Sequence, residues 1–288
     1  MQLRTVERKH ARIRALLQGP SGSGKSYSSL LFAFGLTNDW RAIAVIDTEN
    51  HAAHLYAHLG TYQVLTLEAP FSPERYMEAI TTCEQAGMQV IIIDSISHEW
   101  NFILENHGAT TGNSYTNWNK FTPRHDALVQ ALLQSNCHLI ATARAKQDYV
   151  LSEKNGKQVP EKVGMKAITR EGMDYEFTLV MELDSRHSAK VSKDRTGLFA
   201  GKPEFIISPQ TGTQILQWCQ LGTSQEDVQM LIRQAPNLTV LRELYTAYPD
   251  FRSSLAGVFT QRKEQIQLSS QPQFINGQHG NPTPASES

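Results

Sequence analysis

Apolar residues fall along this chain in two rhythms. Short runs rich in Ile, Val and Leu alternate, as far as about residue 222, with longer amphipathic stretches. The short runs predict strands at Arg14–Leu17, Ala42–Asp47, Gln63–Leu67, Val90–Asp94, His138–Thr142, Thr178–Leu183, Ala189–Ser192 and Glu204–Ile207. Between them, the longer stretches predict helices at Lys25–Leu36, Pro73–Ala86 and Thr122–Gln134. Pro73 and Pro123 then sit in first turns, where a missing N–H costs nothing. Strands alternating with helices argue for an α/β fold with a central, mostly parallel sheet.

Beyond residue 222 the texture changes. Thr223-Ser-Gln-Glu226 fits a capping box, in which hydroxyl and carboxylate satisfy reciprocal backbone donors. Leu238, Leu241, Leu244, Tyr245 and Tyr248 recur at helical spacing, as do Phe251, Leu255, Val258 and Phe259, and these stripes read as core contacts. The predicted organisation is a basic arm at 1–11, an α/β core at 12–222, a small helical segment at 223–267 and a polar, disordered tail at 268–288. Arg4, Arg8, Lys9, Arg12 and Arg14, against Glu7, suit either a phosphate contact or an arm linking subunits.

Composition narrows the possibilities. The 288 residues carry a net charge of −1, which excludes a uniformly basic surface but not a local basic patch. Three cysteines, Cys83, Cys137 and Cys219, lie far apart, so neither a disulfide framework nor a structural zinc site is signalled. The amino terminus is charged throughout, and no run approaches the roughly 18 apolar residues of a membrane span. A soluble, cytoplasmic protein with no membrane partner is expected.

One segment carries explicit chemistry. Gly19-Pro20-Ser21-Gly22-Ser23-Gly24-Lys25-Ser26 matches G-x-x-x-x-G-K-[ST], between a predicted strand and a predicted helix. With Tyr27 these residues form the candidate nucleotide site for ATP or GTP. Backbone N–H groups would turn inward around the β-phosphate, Lys25 would bridge the β- and γ-phosphates, and Ser26 would ligate Mg²⁺. Val90-Ile-Ile-Ile-Asp94 supplies a buried strand ending in a carboxylate that can support the same metal. Ala44-Val-Ile-Asp47-Thr-Glu49 also ends in acid, so Glu49 is a candidate general base, unless Asp47 and Glu49 only cap the strand. His51, His54 and His58 share a face but lack a further ligand to complete a metal geometry.

These residues resemble the RecA-like ATPases. The VIDTE segment is similar to the place where that group carries its catalytic glutamate, and VIIIDSIS is similar to its Walker B strand. Lys193-Asp-Arg195-Thr-Gly197 resembles the K-x-R-x-G segment of the DnaB and RadA helicases, and Arg170-Glu-Gly172 their R-E-G/S segment. GPSGSGKSYSSL, IDSISHEW and SKDRTGLF are most similar to the short RecA-like, AAA-domain ATPases of phages and mobile elements, which include the Sak-type annealing proteins. The resemblance implies a RecA-like P-loop NTPase core, ATP and Mg²⁺ as cofactors, and a bacterial host cell as location. It also implies hydrolysis through Glu49, and a polar γ-phosphate sensor at Thr142, where RecA has glutamine. Lys193 and Arg195 would reach into a neighbouring subunit's site in a ring or filament.

The resemblance further implies single-stranded DNA as partner, with a single-strand-binding protein as another, and a role in recombination or annealing. Two regions would meet the strand. His107–Phe121 is expected as a polar loop bearing Tyr115, Trp118 and Phe121 for base stacking. Ala141–Arg170 carries seven basic residues against three acidic ones, with Lys154-Asn-Gly-Lys157 as a hairpin tip. The alternatives are a nucleotide switch that loads another protein, or a P-loop small-molecule kinase.

Overall fold

The computed structural model describes residues 11–154, 157–220 and 225–269. The chain divides into two compact units, residues 8–221 and a smaller one that includes 222–288. In the larger unit the order is β1 (Arg14–Gly19), α1 (Lys25–Thr37), β2 (Ile43–Asp47), β3 (Gln63–Thr66), α2 (Pro73–Gln85), β4 (Val90–Asp94) and α3 (Ser97–Ala109). It continues with α4 (Ser114–Gln134), β5 (His138–Lys154), β6 (Lys157–Ala167), β7 (Leu179–Leu183), β8 (Ser188–Asp194), β9 (Phe205–Ile206) and α5 (Pro209–Gln220).

The sheet order is β3-β2-β4-β5-β1-β7-β8-β9. The first six are parallel, and β8 and β9 add on antiparallel. Alternate residues of each central strand enter opposite core layers. Ala15, Leu17, Val45 and Ile92 meet Phe32, Leu36 and Ile215 of α1 and α5. Leu16, Ile46 and Ile93 meet Tyr76, Ile80, Leu128 and Leu132 of α2 and α4. Burial on both faces is why these strands read as unbroken apolar runs. The carboxyl ends of β1, β2, β4 and β5 lie side by side, the edge where open α/β sheets bind ligands.

The structure corrects several expectations. Residues 107–121 are not a loop, because α4 starts at Ser114, eight residues before the predicted Thr122, with Pro123 in its interior. The Asn113 side chain accepts from the Tyr115 N–H at 2.9 Å, a cap that starts the helix early. Helix α3 lacks a strong apolar stripe and escapes a periodicity reading, and α5 is a further helix absent from the expected elements. Helix α5 is set by close approach instead, since a Cβ on Gly35 would lie 1.9 Å from the Pro209 carbonyl oxygen. Arg14 is no surface arm. Its guanidinium is buried against the carbonyls of Cys137, Leu133 and Ser135, where burial lowers its pKa to about 10, while Arg12 donates to the Asn136 carbonyl. Arg4, Arg8 and Lys9 lie outside the described residues.

Strand β5 leaves the sheet after Arg144 and pairs antiparallel with β6, from Ala145 opposite Ala167 to Lys154 opposite Lys157. Ten residues of strand give this arm a reach of about 30 Å. Asn155 and Gly156 of the expected tip lie outside the described residues.

The smaller unit holds α6 (Gln225–Gln234), α7 (Leu238–Ala247) and α8 (Ala256–Ser269). Val228, Ile232, Leu241, Tyr248, Leu255, Phe259 and Ile266 form its core. Tyr245, expected in that core, is instead 46 % exposed. Thr223 and Ser224 of the expected capping box, and residues 270–288 of the tail, lie outside the described residues. No described helix is long and apolar enough to cross a membrane.

Candidate functional site

The loop between β1 and α1 is built for an anion. Gly22 and Gly24 take φ of 79° and 82°, a region other residues rarely enter, and so turn the backbone into the start of α1. Lys25 folds over the loop, its Nζ donating to the carbonyls of Gly19 at 3.0 Å and Pro20 at 2.8 Å. Burial pushes its pKa down, and among the described residues it has no ion pair. A half-buried ammonium held only by carbonyls is the partner a phosphate would take. Tyr27, 40 % exposed, meets the edge of Tyr56 at 5.8 Å beside the loop, giving an apolar flank that can support a base. His187, from the turn between β7 and β8, closes the other flank: a Cβ on Gly24 would lie 2.9 Å from its Nδ1.

Asp94 ends β4 at the foot of this loop. Ser26 Oγ donates to its Oδ2 at 2.5 Å and Thr142 Oγ1 to its Oδ1 at 2.5 Å. The carboxyl is 3 % exposed, and burial raises its pKa although both hydroxyls oppose that. A buried carboxylate with hydroxyl partners is a hard oxygen set that fits Mg²⁺ shared with nucleotide phosphates. Among the described residues no cluster of three His, Cys, Asp or Glu could hold a metal alone, His51, His54 and His58 included.

Asp47 and Glu49 separate in role. Asp47 is a cap, accepting from the N–H groups of Glu49 at 2.8 Å and Ala53 at 2.9 Å. Glu49 instead forms a two-pronged ion pair with Arg144, whose Nε lies 2.9 Å from Oε1 and whose second nitrogen contacts Oε2. Arg144 sits two residues past Thr142, where β5 becomes the arm, and its N–H donates to Ser97 Oγ at 2.9 Å. His98 Nε2 is 3.8 Å from Glu49, its Nδ1 2.9 Å from Thr48 Oγ1, and its ring stacks on Phe71. Burial lowers the His98 pKa, so the imidazole is neutral near pH 7 and Arg144 is the charged partner of Glu49. Glu99 turns away from the site to the buried His125. Periodicity offers no signal for Arg144 or His98, and only their nearness to Thr142 and Asp94 in sequence could have pointed to them.

Lys193 and Arg195 are not brought to this site. Asp194 is level with Leu179 and, through it, with Ala15, whereas the loop follows Gly19. Four residues along the strands separate the two levels, about 13 Å. Lys193 Nζ donates to the carbonyls of Asp174 at 3.0 Å and Tyr175 at 2.5 Å, and Arg195 to Tyr175 at 3.0 Å. Asp194 braces the loop between them and α5, accepting from the N–H groups of Thr196, Phe199 and Ala200.

Several of the residues expected to meet a nucleic acid strand are engaged within the chain. Trp118 stacks on His107 at 4.0 Å and on Trp100 at 5.9 Å, and Phe121 is buried, so Tyr115, 86 % exposed, is the free aromatic of that segment. Of the seven basic residues at 141–170, Arg144 pairs with Glu49, Lys166 with Glu171 and Arg170 with Asp126.

A family model described as an AAA domain matches residues 11–206. No curated protein matches the chain.

Proposed function

The chain belongs to that AAA-domain family, and from this premise we propose that it binds and hydrolyses ATP with Mg²⁺ and acts on single-stranded DNA as an oligomer. The observation that carries the reading is the convergence of Lys25, Ser26, Asp94, Thr142 and Glu49 at the carboxyl edge of adjacent strands. In this reading Lys25 leaves the loop carbonyls for the β- and γ-phosphates. Ser26 and Asp94 would hold Mg²⁺, which neutralises developing phosphate charge. Thr142 senses the γ-phosphate through Asp94, and Glu49 orients and deprotonates the attacking water.

Lys193 and Arg195, too far from their own loop, act on the site of an adjacent copy. Single-stranded DNA would lie along the β5–β6 arm, which springs from the strand carrying Thr142 and Arg144, and against Tyr115. A role in phage-type annealing or recombination follows from the sequence resemblance. A second reading, a nucleotide switch with little turnover, draws support from the Arg144–Glu49 pair, which keeps the candidate base engaged.

Lys25→Ala is expected to abolish binding of a fluorescent ATP analogue. Mixing Glu49→Gln with Arg195→Ala subunits is expected to restore hydrolysis, and no recovery in a verified mixed assembly refutes action between copies. Anisotropy of a labelled single strand should rise with protein, more so with a slowly hydrolysed ATP analogue, and fall at higher salt. Absence of binding by protein that binds ATP turns the reading to the switch.

A further inference from the structure

The smaller unit contains a cavity of about 450 Å³ between α7 and α8, within the size range of ligand pockets. Its floor is apolar, formed by Leu238, Leu241, Tyr245 and Phe259, and its rim carries Arg242 and Lys263. On α7 the lining residues recur at helical spacing, so one continuous face of that helix is turned to the cavity.

We propose that this groove docks an acidic peptide segment, which buries one large apolar side chain between α7 and α8 and places carboxylates on Arg242 and Lys263. The charge on the rim is what selects the occupant. Among the described residues neither cation has an ion pair, and no acidic residue lines the cavity. The other arginines near α7 and α8 are committed: Arg252 donates to the Tyr245 carbonyl at 2.7 Å, and Arg262 to the Ala235 carbonyl at 3.1 Å.

The aromatic geometry separates a peptide from a nucleic acid. The Arg252 guanidinium covers the Tyr245 ring at 4.6 Å, and Phe259 meets that ring edge to face at 5.2 Å. A base needs an open aromatic face to stack on, and here Arg252 takes one face of Tyr245 while Phe259 is buried. An aliphatic or aromatic side chain needs only the hollow between them, in the manner of a helix-lined hydrophobic groove.

The test titrates the full chain against a fluorescein-labelled short peptide of Asp and Glu with one central Phe. Controls are the same peptide with Phe→Ala, a Lys-rich counterpart and a labelled single-stranded oligonucleotide. The acidic Phe peptide is expected to bind. Arg242→Glu, Lys263→Glu and the Phe→Ala peptide should each weaken binding by about five- to tenfold. Both substitutions are on exposed positions, and an unchanged melting temperature checks that the unit still folds. The proposal is overturned if the acidic peptide fails to bind, if the charge reversals leave its affinity unchanged, or if they weaken only the oligonucleotide. ATP binding, measured in parallel, is expected to be the same in all variants, so the outcome is independent of the nucleotide site.

Discussion

Removing the Arg144 side chain is the most informative perturbation of the nucleotide site. Glu49 cannot serve as a base while both its oxygens are held by the guanidinium. The side chains of Arg144 and Glu49 are 45 % and 21 % exposed, so solvent screens the pair well below the strength of a buried one. Its two-pronged geometry puts it near the top of the exposed range, about 1 kcal/mol, which corresponds to about a fivefold bias against free Glu49. His98 Nε2, 3.8 Å from Glu49, is too far away to replace the two short contacts of the guanidinium. Arg144→Ala is therefore expected to raise basal kcat for ATP hydrolysis by about fivefold at saturating ATP without DNA, leaving KM nearly constant. Arg144→Lys, with a single contact, should fall between. The double variant with Glu49→Gln should be inactive, which ties the gain to Glu49. The assay is steady-state phosphate release. A fall in kcat with nucleotide binding intact would refute the reasoning and place the guanidinium on the phosphates. An unchanged rate would refute it equally, showing the pair opens at no cost.

Three further outcomes follow from the packing. His138 accepts from the Ile13 N–H through Nδ1 and is buried, which lowers its pKa to about 4 from 6.5. The folded state thus binds fewer protons than the unfolded state between those values, so stability is full above about pH 6.5 and declines as pH falls toward 4. Denaturant melts across that window should show a slope that His138→Gln flattens. Gly35→Val would drive a side chain into the Pro209 carbonyl and the Gly212 backbone, and chemical denaturation should register a loss of about 1–3 kcal/mol as α1 and α5 separate. Trp118→Ala empties the stack between His107 and Trp100 and should cost about 1–2 kcal/mol, whereas Tyr115→Ala should change stability by under about 0.5 kcal/mol yet weaken oligonucleotide anisotropy.

The sequence alone determined the parts that short-range chemistry dictates. Glycines spaced around Lys25 leave little choice but a phosphate-binding turn, and aliphatic runs such as Val90–Ile93 had to become strands buried on both faces. These were legible because backbone conformation and burial act within a few residues. Only the tertiary structure decided which side chains meet. Arg144 finds Glu49 across 95 positions, Trp118 is stacked away inside what reads as a polar loop, and Arg14 closes the carbonyl end of α4 instead of joining a basic arm. The strand register likewise sets Lys193 and Arg195 about 13 Å along the strands from their own loop. Such pairings depend on strand order and helix placement, which set distances between residues remote in the chain and leave no trace in local periodicity.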